Sequence, residues 1–294
     1  MVASHTQNKH AYRGRFAPSP TGPLHFGSLA AAVASYLQAR ANRGRWLVRI
    51  EDIDPPREVP GAAAGQVETL AAFGMVPDAP VAYQSRSRAL HERAIDRLRA
   101  AGLAYDCGCS RRDLPPSGVY PGTCRAGIPA GKDARSIRFR VPEAPIELAD
   151  RVFGASVHRL ETDCGDFVIR RADGLIAYQL AVVVDDIDAG ITEVVRGSDL
   201  LDSSPRQQAL YQAMQAPVPR WTHLPLIVDR TGAKLSKSTH ADPVEKNAPA
   251  AALALALRAL GHRPPAGLRS LESLWKWALV NWDPARIPRD PFEL

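Results

Sequence analysis

The chain has 294 residues, 45% of them hydrophobic, and a formal net charge of +6. This length and apolar content are ample for a folded core in one or two domains, whereas the longest apolar stretch, 175–184, is too short to span a membrane and contains Gln179. The N-terminus has no apolar signal segment, so we expect a cytoplasmic protein with no membrane partner, and the modest positive charge favours a polyanion partner only weakly.

The first predicted elements form a βαβ unit. The segment 13–18 (RGRFAP) predicts a strand, and 28–42 (SLAAAVASYLQARAN) predicts a helix after a turn rich in glycine and proline. The segment 46–52 (WLVRIED) has the β-branched and aromatic residues of a buried strand and ends in acids. This order implies an α/β fold, in which helices cover a parallel sheet.

The composition changes after an amphipathic helix predicted at 89–102, whose arginines we interpret as a solvated face. Cysteines, prolines, glycines and short strands follow, and helix–strand alternation then returns. Further helices are predicted at 204–216, 250–261 and 270–282. We therefore predict an N-terminal tail at 1–12, a parallel-sheet domain in two halves at 13–105 and 166–240, an insert at 106–165, and a short helical C-terminal segment at 241–294.

Two weak signals for phosphate binding lie far apart in the chain. His25 and Gly27 would stand at the start of the first helix, where unpaired N–H groups and the helix dipole attract an anion. Lys234 and Lys237, in the segment GAKLSKS, could cover phosphates and neutralise the charge that develops during adenylyl transfer. Taken singly, the histidine is better explained as a structural hydrogen-bonding residue, and the lysines are equally well explained as an exposed turn.

The order and separation of these two motifs resemble the HIGH and KMSKS signatures of class I aminoacyl-tRNA synthetases. Together with RIEDID, YQLAVVVDD, VVRGSDLLDSSPRQ and HLPLI, they make the chain similar to glutamyl-tRNA synthetases. The resemblance implies a Rossmann-like catalytic domain that activates L-glutamate with ATP and Mg²⁺. It assigns ATP binding to His25, Gly27 and Lys237, and catalytic stabilisation of phosphate charge to His25, Lys237 and, to a lesser degree, Lys234. Ser28 replaces the second histidine of the HIGH signature, so that imidazole has no counterpart here.

The same resemblance places glutamate against Arg15, Ser19, Glu51, Tyr178 and Arg196. In the family, the acid contacts the ammonium of glutamate and the arginines pair with its carboxylates, with which guanidinium forms bidentate pairs. Each residue also has an ordinary explanation, such as a strand end, a core tyrosine or an ion pair. Their expected placement at the carboxyl ends of consecutive strands, where open α/β sheets bind ligands, favours the functional interpretation.

The C-terminal part is short for this family. Residues 239–294 follow the second motif, whereas glutamyl-tRNA synthetases continue with a helical anticodon-binding region. In this respect the chain resembles the glutamyl-queuosine tRNA(Asp) synthetases, which transfer activated glutamate to the queuosine base in the anticodon loop. We expect this activity, with ATP, L-glutamate and queuosine-bearing tRNA(Asp) as partners, in a monomeric protein. The alternatives are a minimal glutamyl-tRNA synthetase that charges the 3′-terminal adenosine, a catalytically silent tRNA-binding paralogue, and a small-molecule adenylyltransferase of the same superfamily.

Three of the four cysteines, Cys107, Cys109 and Cys124, lie within 18 residues. A disulfide, a metal and burial are the candidate explanations, and a cytoplasmic location favours a metal. No histidine lies close to these cysteines in the sequence, and Cys164 is too distant to be assumed as the fourth ligand. The resemblance to the glutamyl-queuosine enzymes implies one structural Zn²⁺ per chain, held by the three cysteines and Tyr120. A packed aromatic side chain is the alternative role for Tyr120.

Overall fold

The computed structural model describes residues 11–232 and 243–294. The strands in this part of the chain are β1 (Arg13–Phe16), β2 (Arg45–Ile50), β3 (Ala82–Tyr83), β4 (Ala104–Cys107), β5 (Ser136–Phe139), β6 (Ile146–Asp150), β7 (Gly154–His158), β8 (Phe167–Arg170), β9 (Glu193–Gly197), β10 (Arg220–Leu224), β11 (Ile227–Val228) and β12 (Phe292–Glu293). The helices are α1 (Phe26–Ala41), α2 (Ala62–Ala72), α3 (Arg88–Ala100), α4 (Leu160–Asp163), α5 (Tyr178–Asp188), α6 (Ser204–Ala213), α7 (Pro249–Ala259) and α8 (Leu271–Asn281).

The central sheet consists of two groups of strands that meet side by side. β1, β2 and β3 pair in parallel, and so do β9, β10 and β6, while β7 adds to β6 as an antiparallel edge. The groups meet at β1 and β9, where the Thr192 amide donates to the Arg13 carbonyl over 2.9 Å. The strand order is therefore β3-β2-β1-β9-β10-β6-β7, and the parallel sheet predicted from the βαβ pattern is confirmed.

Helix α1, which connects β1 to β2, is covered on several sides. It packs against β1, β2, β9, α7 and α8, which explains why its buried residues do not form a single stripe. Trp275 of α8 stacks edge-on against Tyr36 at 5.1 Å between ring centroids, and the Trp282 indole donates to Gln38 over 2.8 Å. The two C-terminal helices predicted from the sequence are thus present and pack on the sheet domain through α1.

A second core lies between α3, α5, α6 and an antiparallel sheet of order β4-β5-β8. Phe139 and Phe167 face each other in this core at 5.3 Å. The β6–β7 hairpin pairs instead with β10, so residues 106–165, predicted as an insert, contribute strands to both sheets. Within the described residues, no helix has the length and apolar content that crossing a bilayer requires.

Candidate active site

Most of the residues expected to contact glutamate lie at one edge of the parallel sheet. Arg15 is on β1, Glu51 directly follows β2, and Arg196 is near the end of β9. Ser19 is exposed in the loop after β1, where its carbonyl accepts from the Gln66 amide over 3.0 Å. These four positions agree with the expected placement at the carboxyl ends of strands.

Tyr178 does not stand at a strand end, so that detail of the expectation was wrong. β8 belongs to the antiparallel sheet, and a turn closed by the Arg170–Ile176 bridge leads directly into α5, whose first residue is Tyr178. The phenol nevertheless reaches the site, because Arg196 Nη1 lies 3.4 Å from its oxygen.

A buried network of charges joins Arg15 to Glu51. Arg15 Nε donates to both oxygens of Asp186, at 3.2 and 3.3 Å, and Arg49 Nη1 donates to the same carboxylate over 2.7 Å. Arg49 Nη2 also donates to Glu51 over 3.2 Å. All four side chains are at most 7% exposed. Asp186 therefore fixes both arginines, and Arg49 fixes Glu51.

The pKa values in this network follow from burial and pairing. Burial raises the pKa of Glu51, while the charges of Arg49 and Arg15 oppose the shift. Burial would also raise the pKa of Asp186, but the two guanidinium groups hold it below its usual value. Asp186 is thus an ionised structural partner, and Glu51 is a desolvated carboxylate suited to a cationic ligand.

Arg196 is a buried cation whose hydrogen-bond acceptors are all neutral. Its Nε donates to His223 Nε2 over 3.1 Å. The other acceptors, with their distances, are Gln207 Oε1 at 2.8 Å, Ser204 Oγ at 2.7 Å, the Leu200 carbonyl at 3.2 Å and the Tyr178 hydroxyl at 3.4 Å. In the described part of the chain no acidic side chain pairs with it, and burial lowers its pKa. Arg196 and Arg15 lie on the adjacent strands β9 and β1, and Glu51 follows β2 on the other side of β1, so the three residues share one site.

His25 is the N-cap of α1, and its Nδ1 accepts from the Ser28 amide over 3.3 Å. This is the structural role that a lone histidine would have, and it leaves the ring at the helix start, where an anion binds. At Gly27, an added Cβ would lie 3.1 Å from His25 Cε1. Glycine therefore leaves space for the imidazole. Lys234 and Lys237 lie outside the described residues.

The three predicted cysteines come together with Tyr120 in a buried cluster. Their Sγ atoms all lie within 4.8 Å of one another, and the Cys109 and Cys124 sulfurs are 3.7 Å apart. The Tyr120 hydroxyl lies 3.3 Å from Cys107 Sγ and 3.8 Å from Cys109 Sγ. Cys164 is not part of this cluster, since its thiol donates to the Leu160 and Gly165 carbonyls. Four side-chain donors therefore converge on one point.

Arg138 contacts the cluster directly, and Asp166 holds Arg138 in place. Arg138 Nε donates to Cys107 Sγ over 3.3 Å, and its guanidinium lies over the Tyr120 ring at 3.7 Å. Burial acts to raise the pKa of Cys107, but hydrogen bonds from Tyr120, the Cys109 amide and Arg138 lower it to about 7. The Asp166 carbonyl accepts from Arg138 over 2.6 Å.

Comparison with known proteins gives one consistent family. The catalytic domain of the class I tRNA synthetases (E and Q) matches residues 11–116 and 125–266. The glutamyl-Q tRNA(Asp) synthetase of Chromobacterium violaceum is 50% identical over 290 residues, which cover 96% of this chain and 97% of that protein. The enzyme of the same name from Pseudomonas aeruginosa is 52% identical over 282 residues, which cover 95% and 96% of the two chains.

The chain belongs to the class I tRNA synthetase family. It is therefore a ligase, and the resemblance inferred from its motifs is confirmed, including the similarity to the glutamyl-queuosine branch. The structure of a glutamate tRNA ligase from Elizabethkingia meningosepticum, in complex with its amino acid, superposes with a TM-score of 0.81 at 27% identity. That match covers 97% of this chain and 67% of the other, so the class I fold is confirmed as well.

Within the family's site, sequence reasoning missed four buried residues that hold its predicted members. Arg49 was open to detection, because it precedes Glu51 by two residues and so shares its face of the strand. Asp186 also had a signal, since an acidic pair ends the apolar run LAVVVDD. Asp150 had none. His223 lies in the motif segment HLPLI, but the segment does not indicate its partner, because the two residues are 73 apart in the chain and meet only through strand pairing.

Proposed function

We propose that the protein activates L-glutamate with ATP and transfers the glutamyl group to the queuosine base in the anticodon loop of tRNA(Asp). The names of the relatives and of the structural neighbour support this set of substrates. The observation that carries the proposal is the meeting of Glu51 with Arg15 and Arg196 in one buried site. As part of the proposal, the protein works as a monomer in the cytoplasm.

The charges of the site complement those of glutamate. Glu51 supplies a carboxylate for the ammonium group. The Nε of Arg15 donates to Asp186, and among the described residues no group accepts from its two Nη groups. This fork is the geometry that binds a carboxylate through two parallel hydrogen bonds. Arg196, whose described hydrogen-bond acceptors are all neutral, supplies a positive charge without an acidic partner for the other carboxylate, and Tyr178 and Ser19 complete the proposed contacts.

Activation of glutamate needs positioning and charge stabilisation, and no protein nucleophile. A glutamate α-carboxylate oxygen attacks the α-phosphorus of ATP in line, the bond to the β-phosphate oxygen breaks, and pyrophosphate leaves with the electron pair. His25, Gly27 and Lys237 would bind the phosphates, with Lys234 contributing less, and Mg²⁺ would accompany ATP. Pro243, which follows the segment bearing both lysines, forms a β-bridge with His25, and this contact supports assigning them to one phosphate site.

The cysteine cluster fits a structural zinc ion held by Cys107, Cys109, Tyr120 and Cys124. Zn–S bonds of about 2.3 Å in a tetrahedron separate two sulfurs by about 3.8 Å, close to the 3.7 Å between Cys109 and Cys124. Three sulfur donors and one oxygen make a closed site without an open position for catalysis. When bound, zinc would tie together a loop-rich segment with little core of its own.

Transfer to queuosine rather than to the 3′-terminal adenosine is supported by the relatives' names and by Tyr120. The cluster has the Cys, Cys, Tyr, Cys order of the glutamyl-queuosine enzymes, and the Tyr120 hydroxyl lies at hydrogen-bonding distance from Cys107 Sγ. In the proposed second step, a hydroxyl of the queuosine cyclopentene ring attacks the adenylate carbonyl, and AMP leaves.

The function is tested by ATP–pyrophosphate exchange with glutamate, with and without tRNA, followed by transfer of labelled glutamate. We expect exchange, and transfer to queuosine-bearing tRNA(Asp) from which the 3′-terminal adenosine has been removed. The matched control is the same tRNA without queuosine, which should accept no label. Label that needs an intact 3′ end would identify a minimal glutamyl-tRNA synthetase, and no exchange at all would identify a silent paralogue.

The zinc site is tested by metal analysis of a Tyr120→Phe variant. Loss of the phenol oxygen should lower zinc occupancy, whereas Cys164→Ser, which changes a thiol outside the cluster, should leave it unchanged. Undiminished zinc in the Tyr120→Phe variant would make the tyrosine a packed aromatic side chain.

A further inference from the structure

A buried relay of hydrogen bonds crosses three neighbouring strands behind Arg196. Arg196 on β9 and His223 on β10 are direct register partners, and Asp150 ends β6 on the other side of β10. Arg196 Nε donates to His223 Nε2 over 3.1 Å, and His223 Nδ1 lies 2.7 Å from Asp150 Oδ2. The exposed fractions of the three residues are 6%, 0% and 6%. The relay is therefore shielded from water along its whole length.

The hydrogen-bond partners of His223 in this relay are compatible with one protonation form of its imidazole. A guanidinium has no acceptor and keeps its protons in proteins, so the His223 Nε2 that faces Arg196 Nε must carry a lone pair. The proton of a neutral ring is then on Nδ1 and points at Asp150. Burial lowers the pKa of His223, the bond to Asp150 raises it, and the charge of Arg196 lowers it again, with a net decrease. A neutral Nδ1–H imidazole satisfies these contacts, and its Nε2 lone pair also faces the Ser204 hydroxyl, which lies 3.1 Å away and can donate to it.

Asp150 is itself rigidly held. Its Oδ1 accepts from the amides of Val152 and Phe153 over 2.9 and 2.8 Å, and its Oδ2 accepts from the His223 amide over 3.0 Å as well as from the ring. Both carboxylate oxygens therefore face N–H donors. An amide side chain cannot replace it, because one of its two positions would be a donor facing donors.

We propose that Asp150 and His223 are positioning residues, which fix the plane of the Arg196 guanidinium so that it receives a carboxylate of glutamate. Neither touches the substrate in this scheme, and each acts through Arg196. The hairpin β6–β7 thereby takes part in amino-acid recognition, although its residues lie outside the predicted parallel-sheet domain. The inference rests on the proposed function, because it takes Arg196 to bind glutamate.

The first test is the tautomer of His223 in the wild-type protein, read from ¹⁵N chemical shifts of labelled histidine, with a His223→Gln variant for assignment. We expect a protonated Nδ1 and a bare Nε2. A protonated Nε2 would overturn the relay. This measurement needs no substrate, so it remains decisive even if the protein shows no glutamate-dependent exchange and the proposed function fails.

The second test is an Asp150→Asn variant in the ATP–pyrophosphate exchange assay. The introduced amide should donate to His223 Nδ1, which moves the ring proton to Nε2, where it faces the Nε–H of Arg196. The KM for glutamate should therefore rise roughly 10- to 100-fold, the range of one lost hydrogen bond to a charged group. The KM for ATP should stay within about twofold. Asp188→Asn, an exposed change on α5, is the matched control and should leave both constants unchanged.

Two outcomes of the second test overturn the proposal. An unchanged KM for glutamate would show that Arg196 is positioned without Asp150. Equal increases in the KM for glutamate and for ATP would show a general disturbance of the fold, and not a role in positioning one guanidinium.

Discussion

Replacement of Asp186 by asparagine should both destabilise the protein and weaken glutamate binding. The carboxylate pairs with Arg15 and Arg49, and all three side chains are at most 7% exposed. Removing one partner of a buried ion pair costs about 3–5 kcal/mol, because a buried charge is left uncompensated. Arg49 keeps Glu51 at 3.2 Å and Asp185 at 3.9 Å, so we expect the lower limit, about 3 kcal/mol.

The assay is urea denaturation of the wild type and the variant, followed by the KM for glutamate in pyrophosphate exchange. The KM should rise roughly tenfold or more, since Arg15 loses the charged group that orients its fork. Asp188→Asn, on the same helix but exposed, should change stability by less than about 0.5 kcal/mol. A loss below about 1 kcal/mol in the Asp186 variant, together with an unchanged KM, would refute the assignment of Asp186 as the fixed centre of the network.

Three further predictions concern other parts of the site. Gly165→Ala should reduce zinc content, because φ at this glycine is +64° and the new Cβ would lie 2.2 Å from the Tyr120 carbonyl oxygen. Gly174→Ala, with φ of +80° and open space around the new Cβ, should reduce stability slightly and keep zinc. Equal zinc loss in both variants would contradict this prediction. Gly27→Ala should lower the exchange rate without lowering the melting temperature, because alanine favours the helix but presses on the imidazole; an unchanged rate would count against an imidazole contact with phosphate. Burial acts to raise the pKa of Asp166, yet Arg125, which donates to both carboxylate oxygens at 2.7 and 2.8 Å, holds that pKa below its usual value. The stabilising contribution of Asp166 should therefore be full above about pH 4 and be lost as the pH falls further; acid denaturation of an Asp166→Asn variant should lack that part of the pH slope.

The fold was predictable where neighbouring residues in the sequence are also neighbours in space. The strand β1, the helix α1 and the strand β2 follow one another, and their apolar patterns are local. The addition of the β6–β7 hairpin to the parallel sheet was not predictable in this way. The register of β6 against β10 pairs Asp150 with Trp221, and the apolar pattern within either strand does not indicate a partner strand so far away in the sequence.

The site residues that lie in recognisable motifs were predictable from the sequence, whereas the contacts that form only through tertiary packing were not. Arg15, Glu51 and Arg196 lie in segments that resemble the family's motifs, and the structure brings them to one edge of the sheet. His223 also lies in such a segment, HLPLI, but the segment does not show that its imidazole faces a guanidinium. That contact depends on the register between β9 and β10, which is a property of the folded sheet.

The two arginines of the site differ in what they have left to offer a ligand. Arg196 has five N–H groups, and all five already meet an acceptor, so a carboxylate binds it only by replacing one of them. The longest of these contacts is the 3.4 Å separation from the partly buried hydroxyl of Tyr178, whereas Gln207, Ser204 and His223 are fully buried. Exchanging that weak contact for a charge-assisted hydrogen bond favours the ligand, and the rest of the guanidinium stays fixed. Arg15 differs, because its two Nη groups would meet a ligand without displacing a described group. Under the proposed function, one carboxylate of glutamate would therefore bind to a fixed guanidinium and the other by exchange with the Tyr178 hydroxyl.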